Sequence, residues 1–193
     1  MTISLVKGQK ISLEKESGVK LSKIAMGLGW DVARPKGILG LFKRLPAIDL
    51  DATCIMFDAA KQIVDVVWFR QLQSKDGSVK HSGDNRTGEG EGDDETIFVN
   101  LSLVPLNVTS LVFTINSFTG QTFNQIENAF CRLVNLDNRQ EIAKYVLSGG
   151  GEVTAQIMSK IYRHNGEWKM AAIGEPANGQ TFHHILPNIV PFL

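Results

Sequence analysis

Residues 50–69, LDATCIMFDAAKQIVDVVWF, hold two apolar runs on either side of a short polar break. The runs at 50–58 and 63–69 are rich in β-branched and aromatic side chains, which favour extended backbone. Asp58-Ala-Ala-Lys61 between them is short enough to turn the chain back as a hairpin. The same texture repeats outward, predicting strands at 21–29, 96–104, 109–118, 141–147, 153–162 and 168–173. In TIFVNLSL (96–103), Ile97, Val99, Leu101 and Leu103 alternate with polar partners, the period-two pattern of a sheet with one face buried. His164-Asn-Gly-Glu167 reads as a second hairpin, because Asn165 and Gly166 both tolerate positive φ. The pattern predicts a mainly β protein, a sandwich or a barrel. One helix is expected: in TFNQIENAFCRLV, Phe123, Ile126, Phe130 and Leu133 recur at helical spacing, with Thr122 and Gln125 placed for a capping box. The residues from Cys131 to Leu136 also alternate, so a short helix followed by a strand is predicted.

The 193 residues fit one domain, 43% of them hydrophobic and 21% charged, enough apolar content for a core. Twenty basic and twenty acidic residues cancel, so no global field draws the chain to nucleic acid or to an anionic membrane. Cys54 and Cys131 lie in the apolar runs ATCIMF and NAFCRLV and are expected to be buried free thiols. The opening MTISLVKGQKISL lacks the pattern of a secretory leader, and no stretch approaches the roughly 20 apolar residues of a membrane helix. A cytoplasmic location is the expectation.

Two segments resist regular structure. Residues 31–46, DVARPKGILGLFKRLP, carry two prolines, two glycines and four basic residues, and read as a long loop reaching toward residue 48. Its 36–45 portion mixes apolar and basic side chains, either to dock on a partner or a membrane surface peripherally, or to tuck onto the core. The other loop, 74–95, ends in HSGDNRTGEGEGDDE (81–95). Here six carboxylates (Asp84, Glu89, Glu91, Asp93, Asp94, Glu95) alternate with four glycines, and Arg86 is the one firm positive charge. So many like charges repel unless solvated or neutralised. Carboxylates together with glycine-exposed carbonyls are the oxygen donors a hard divalent cation takes, and calcium accepts about 6–8 of them in irregular geometry. Zinc and copper prefer His or Cys, and His81 alone is near. The spacing is not that of an EF-hand. Upstream, Asp49-Leu-Asp51 opens a strand with both carboxylates on one side at period two, and Asp31 ends another. A solvated acidic loop, with the aspartates as turn residues, is the plainer alternative.

These motifs carry a resemblance. LGWD (28–31), IDLDAT (48–53), HSGDNRTGEGEGDDE (81–95), QTFNQIENAF (121–130) and IYRHNGEWKMAAIG (161–174) together resemble the TerD family of bacterial tellurite-resistance and stress proteins, most closely its TerZ branch. The resemblance spans nearly the whole chain. It implies a single domain over 1–193, a two-sheet β-sandwich with a few short helices that binds calcium at acidic loops. It further implies Asp31, Asp49, Asp51, Asp84, Asn85, Asp93, Asp94 and Glu95 as ligands, with Glu89 and Glu91 at more variable positions. Ile48 stands where the family usually has Phe, and the 31–48 loop departs from the compact members.

Other chemistry finds little support. Ser148-Gly-Gly-Gly151 lacks the Lys-Ser/Thr of a phosphate loop, adjacent His183 and His184 are not spaced for one metal, and neither a GxSxG elbow nor an HExxH zinc helix is present. The expected function is therefore a non-enzymatic, calcium-binding protein of the tellurium-resistance and stress system. Calcium would order the acidic loop for assembly with other proteins of that system. Two alternatives are a metal-dependent binder or sensor of a phosphate-bearing small ligand, and an adaptor in which calcium is purely structural.

Overall fold

The computed structural model describes residues 2–32, 49–84, 93–146 and 151–193, with the side chains of residues 31, 32, 127 and 128 left aside. Twelve strands form two six-stranded sheets. They are β1 (Ile3–Ser4), β2 (Lys10–Ser12), β3 (Lys23–Val32), β4 (Leu50–Asp58), β5 (Ile63–Val67), β6 (Val79–His81), β7 (Glu95–Asn100), β8 (Val108–Ser117), β9 (Ile126–Asn135), β10 (Gln140–Val146), β11 (Ala155–His164) and β12 (Glu167–Ala177). One sheet runs β1-β10-β9-β3-β7-β6 and the other β2-β12-β11-β8-β4-β5, antiparallel throughout except for the β1·β10 pair. Two helices complete the described elements, α1 (Leu13–Ser17) and α2 (Phe182–Ile189), together with two 3-10 turns. The expected mainly β, two-sheet sandwich is the architecture found.

The central strand β4 shows why its sequence is apolar without alternation. Leu50, Ala52, Cys54 and Met56 enter the core between the sheets, while Ile55 and Phe57 join a second cluster under α2. Phe182, Ile185 and Ile189 of α2 supply the cover, each worth about 1.5–3 kcal/mol of burial. Both hairpins form as expected. Lys61 and the Asn165-Gly166 pair take positive φ, and Lys61 N–H closes on Asp58 O at 3.1 Å. Cys54 and Cys131 are buried free thiols, and burial pushes the Cys131 thiol up to about 12.

Three expectations need correction. The helix over TFNQIENAFCRLV shrinks to a 3-10 turn, Phe123–Gln125, and Thr122 makes no side-chain cap. The chain then runs extended as β9, wedged between β10 and β3. Its buried face is Ala129, Cys131 and Leu133, a period-two set whose small members weigh little in a count of bulky apolar residues. The strand expected to reach residue 104 ends at Asn100, and Leu103 is 56% exposed. The loop expected over 74–95 contains β6, so residues 74–81 fold back as a small hairpin, with Ser74 N–H on Val79 O. Residues 33–48, which include the segment 36–45 read as a docking loop, lie outside the described residues, as do 85–92.

Candidate metal centre

The acidic residues meet at one end of the sandwich, where the start of β4 faces the end of β6 and the start of β7. Asp49 precedes β4 and Asp51 lies in it, so period two sets both carboxylates on one side. Asp84 arrives three residues after β6. One carboxylate oxygen from each of Asp49, Asp51 and Asp84 lies within 4.8 Å of the other two.

Asp51 is the most constrained of the three. Its side chain is buried, with the residue only 5% exposed, and Oδ2 has no hydrogen-bond partner among the described residues. Burial pushes its pKa up to about 8, and the neighbouring charges of Glu95, Asp49 and Asp84 push the same way. Arg70 pulls weakly in the opposite direction. Its guanidinium is held over the rings of Trp68 and Phe69, 5.5 and 5.2 Å from their centroids. A buried carboxylate surrounded by carboxylates is a costly arrangement that a divalent cation would relieve.

Glu95 lies inside because alternation places it there. Glu95, Ile97 and Val99 of β7 all face the core. Its Oε2 accepts the N–H of Ala52 at 2.7 Å. That amide is accessible because β5 covers β4 only from Cys54 to Phe57. The same oxygen lies 3.2 Å from His81 Nε2, and both side chains are fully buried. His81 Nδ1 accepts the N–H of Gly83 at 3.0 Å. A ring nitrogen that accepts carries no proton, so Nε2 carries the N–H, which faces Glu95 without making a hydrogen bond among the described residues.

The remaining expected ligands are placed differently. Asp93 lies against Gly27 of β3, where any Cβ would overlap its carboxylate. There it pairs with Arg132 of β9 through both oxygens, Nε to Oδ1 at 2.7 Å and Nη2 to Oδ2 at 3.0 Å. Arg132 also reaches Glu141 at 3.3 Å. The hydrogen bonds that Arg132 donates to Asp93 lead the effects that raise the Arg132 pKa. Asp94 Oδ2 accepts Trp30 N–H at 2.8 Å, and its own N–H bonds Leu28 O, next to the bulge between Gly29 and Asp31 in β3. The backbone of Asp31 pairs with Glu127. The Asp31 side chain and all of Asn85, Glu89 and Glu91 lie outside the described residues. The structure thus gathers Asp49, Asp51 and Asp84, sets Glu95 beside them, and gives Asp93 a cation of its own. His81 was not among the expected site residues. Its signal was the inward alternation of Val79 and His81, visible only once β6 is recognised as a strand.

Comparison with known proteins completes the description. A profile of the TerD domain matches residues 1–187. The chain is 49% identical over 189 residues to the tellurium resistance protein TerZ of Serratia marcescens, covering 97% of each chain. It is 43% identical over 187 residues to general stress protein 16U of Bacillus subtilis, covering 93% of each. Among solved structures, a homologue of the telluride resistance protein TerD from Streptomyces coelicolor superposes with a TM-score of 0.70 at 20% identity, over 86% of this chain and 95% of that one.

Proposed function

This chain belongs to the TerD family of tellurium-resistance and stress-response proteins, and on that premise we propose that it is a non-enzymatic calcium-binding protein of such a system. The observation that carries the reading is Asp51 Oδ2, buried and without a donor among the described residues, with oxygens of Asp49 and Asp84 within 4.8 Å. The donor set favours a hard cation. The gathered atoms are carboxylate oxygens, and Nδ1 of the neighbouring His81 is already taken by the Gly83 N–H. Asp49, Asp51 and Asp84 would hold the ion, and the ion would supply the positive charge their proximity requires. Calcium rather than magnesium suits a set drawn from a strand and a separate glycine-rich stretch of the sequence, because magnesium demands stricter octahedral geometry. Neutralising the acidic segment would fix its shape for assembly with other proteins of the same system in the cytoplasm. No helix among the described residues is long and apolar enough to cross a membrane.

The test is isothermal titration of chelator-stripped protein with calcium, and with magnesium in parallel, on wild type and Asp51→Asn. Micromolar or tighter calcium binding that the variant loses supports the reading. Equal, weak heats for both ions leave a solvated acidic surface instead.

A second reading has an observation of its own. Arg70 is exposed beside the cluster and rests on aromatic rings. A cation and an arginine side by side suit a phosphate-bearing ligand. Titration of the calcium-loaded protein with inorganic phosphate, on wild type and Arg70→Ala, separates this reading from the first. The adaptor reading rests on residues 36–45, outside the described residues.

A further inference from the structure

Away from the acidic end, Ile24, Val79, Ile97 and Val99 enter the core from β3, β6 and β7. Alternation therefore sets Lys23, Lys80, Phe98 and Asn100 on the outer face of the same three strands. Register brings them together, with Lys80 opposite Phe98 and Lys23 opposite Asn100. Strand β7 stops at Asn100 because that residue starts a turn. Its Oδ1 accepts Ser102 N–H at 3.2 Å and its carbonyl accepts Leu103 N–H at 3.0 Å. The turn carries Leu103 out of the core pattern that TIFVNLSL predicts. Leu136 is tied to β3 by its N–H on Lys23 O at 3.0 Å. Between them lies an open pocket of about 210 Å³, lined by Phe98, Leu103, Leu136, Asn100, Ser78 and the two lysines. Its apolar members are left 39%, 56% and 36% exposed for Phe98, Leu103 and Leu136.

Two observations set the chemistry. Neither Lys23 nor Lys80 has an ion pair among the described residues. The carboxylates bonded at the margin serve local donors and do not line the pocket. Asp76 takes Ser78 N–H at 2.6 Å and Ser74 Oγ–H at 2.9 Å, and Asp137 takes Ser22 Oγ–H at 2.8 Å. Ser78 is 2% exposed, and its hydroxyl makes no hydrogen bond among the described residues, a state that few buried hydroxyls keep.

We propose that this pocket binds a small organic anion with an apolar body, an alkyl or aryl carboxylate of about eight non-hydrogen atoms. The volume equals that of about seven waters in the liquid, which sets the size. Phe98, Leu103 and Leu136 form an apolar bed for the body, and the two lysines supply the charge that the carboxylate meets. The pocket shares no residue with the acidic cluster, so the proposal stands apart from the metal reading.

The test is amide NMR of the full chain, kept in chelator and titrated with hexanoate, with hexanol and with acetate. Hexanoate is expected to bind in the millimolar range, with shifts concentrated at Ser78, Lys80, Phe98, Asn100 and Leu103. Hexanol lacks the charge and acetate lacks the body, and each is expected to bind about 10-fold more weakly. The double variant Lys23→Ser/Lys80→Ser changes two exposed side chains and should bring hexanoate down to the affinity of hexanol, leaving hexanol unchanged. Leu103→Asp, also at an exposed position, should abolish the hexanoate shifts. Hexanol binding as tightly as hexanoate would leave an apolar crevice, and acetate doing so would leave a bare charge effect. Either result overturns the proposal. So do shifts scattered over the molecule, an affinity unchanged in the double variant, or wild type that shows no hexanoate shifts at all.

Discussion

Asp51 and Asp65 lie on adjacent strands of one sheet and are about equally buried, at 5% and 7% exposure, yet their acidities move in opposite directions. Burial pushes both pKa values up. At Asp65 it is outweighed by hydrogen bonds from Lys75 N–H at 2.7 Å, Gln71 Nε2 at 2.9 Å and Val66 N–H at 2.9 Å, with help from the Lys75 charge. At Asp51 burial is reinforced by three neighbouring carboxylates, and Oδ2 receives no donor among the described residues. Depth alone therefore does not define a carboxylate's role. The Asp65 carboxylate has the donors it needs and organises the turn after β5. The Asp51 carboxylate has only the weak pull of Arg70 against three like charges among the described residues, which marks the place where a cation would act.

Asp51→Asn should break the comparison most visibly. Calcium affinity is expected to fall at least about 100-fold, close to 3 kcal/mol, and calcium should no longer raise the melting temperature. In chelator the same variant is expected to be more stable than wild type, because it removes a like charge. Calorimetry with and without calcium checks both halves. Asp65→Asn should behave oppositely, losing about 2–3 kcal/mol in chemical denaturation whether or not calcium is present.

The pH dependence of the stripped protein sharpens the contrast. A carboxylate whose folded pKa is raised stabilises fully below the unfolded value, and that contribution drains away as pH climbs from about 4 toward about 8 for Asp51. A lowered folded pKa works the other way. The Asp65 contribution is complete above the unfolded value and is lost as pH falls through the folded one. Denaturation curves across pH should show Asp51→Asn flattening the decline between about pH 4 and about 8 and Asp65→Asn flattening the loss at acid pH. The smallest effect belongs to Arg132→Met. Its part-exposed bridge to Asp93 is expected to cost about 1 kcal/mol, equally with and without calcium, as unfolding midpoints in the two conditions will show. A large calcium dependence there would place Asp93 with Asp51 instead.

Sequence reading reached the hairpin of β4 and β5, the Asn165-Gly166 turn and the pairing of Asp49 with Asp51, because each depends on neighbours along the chain. It missed β9, where the tertiary setting between two strands overrode an apparent helical spacing. It also missed α2, whose Pro187 disguises a helix that forms by covering an apolar sheet. The partition of the acidic residues was equally hidden. Asp93 and Arg132 are 39 positions apart, and only the sheet brings Gly27 beneath them both. Likewise, the meeting of Glu95 with the Ala52 amide is a contact between two sheets that no local pattern encodes.

That meeting has a kinetic consequence. Asp49 and Asp51 belong to one sheet, while Asp84 and Glu95 are carried by the other. An ion shared between them would act as a rivet against sliding or splaying of the two layers. It must be released before that end can open, so its binding energy is absent from any transition state in which the layers have parted. Calcium would then lengthen the lifetime of the folded state by slowing its opening, with little effect on how fast it forms.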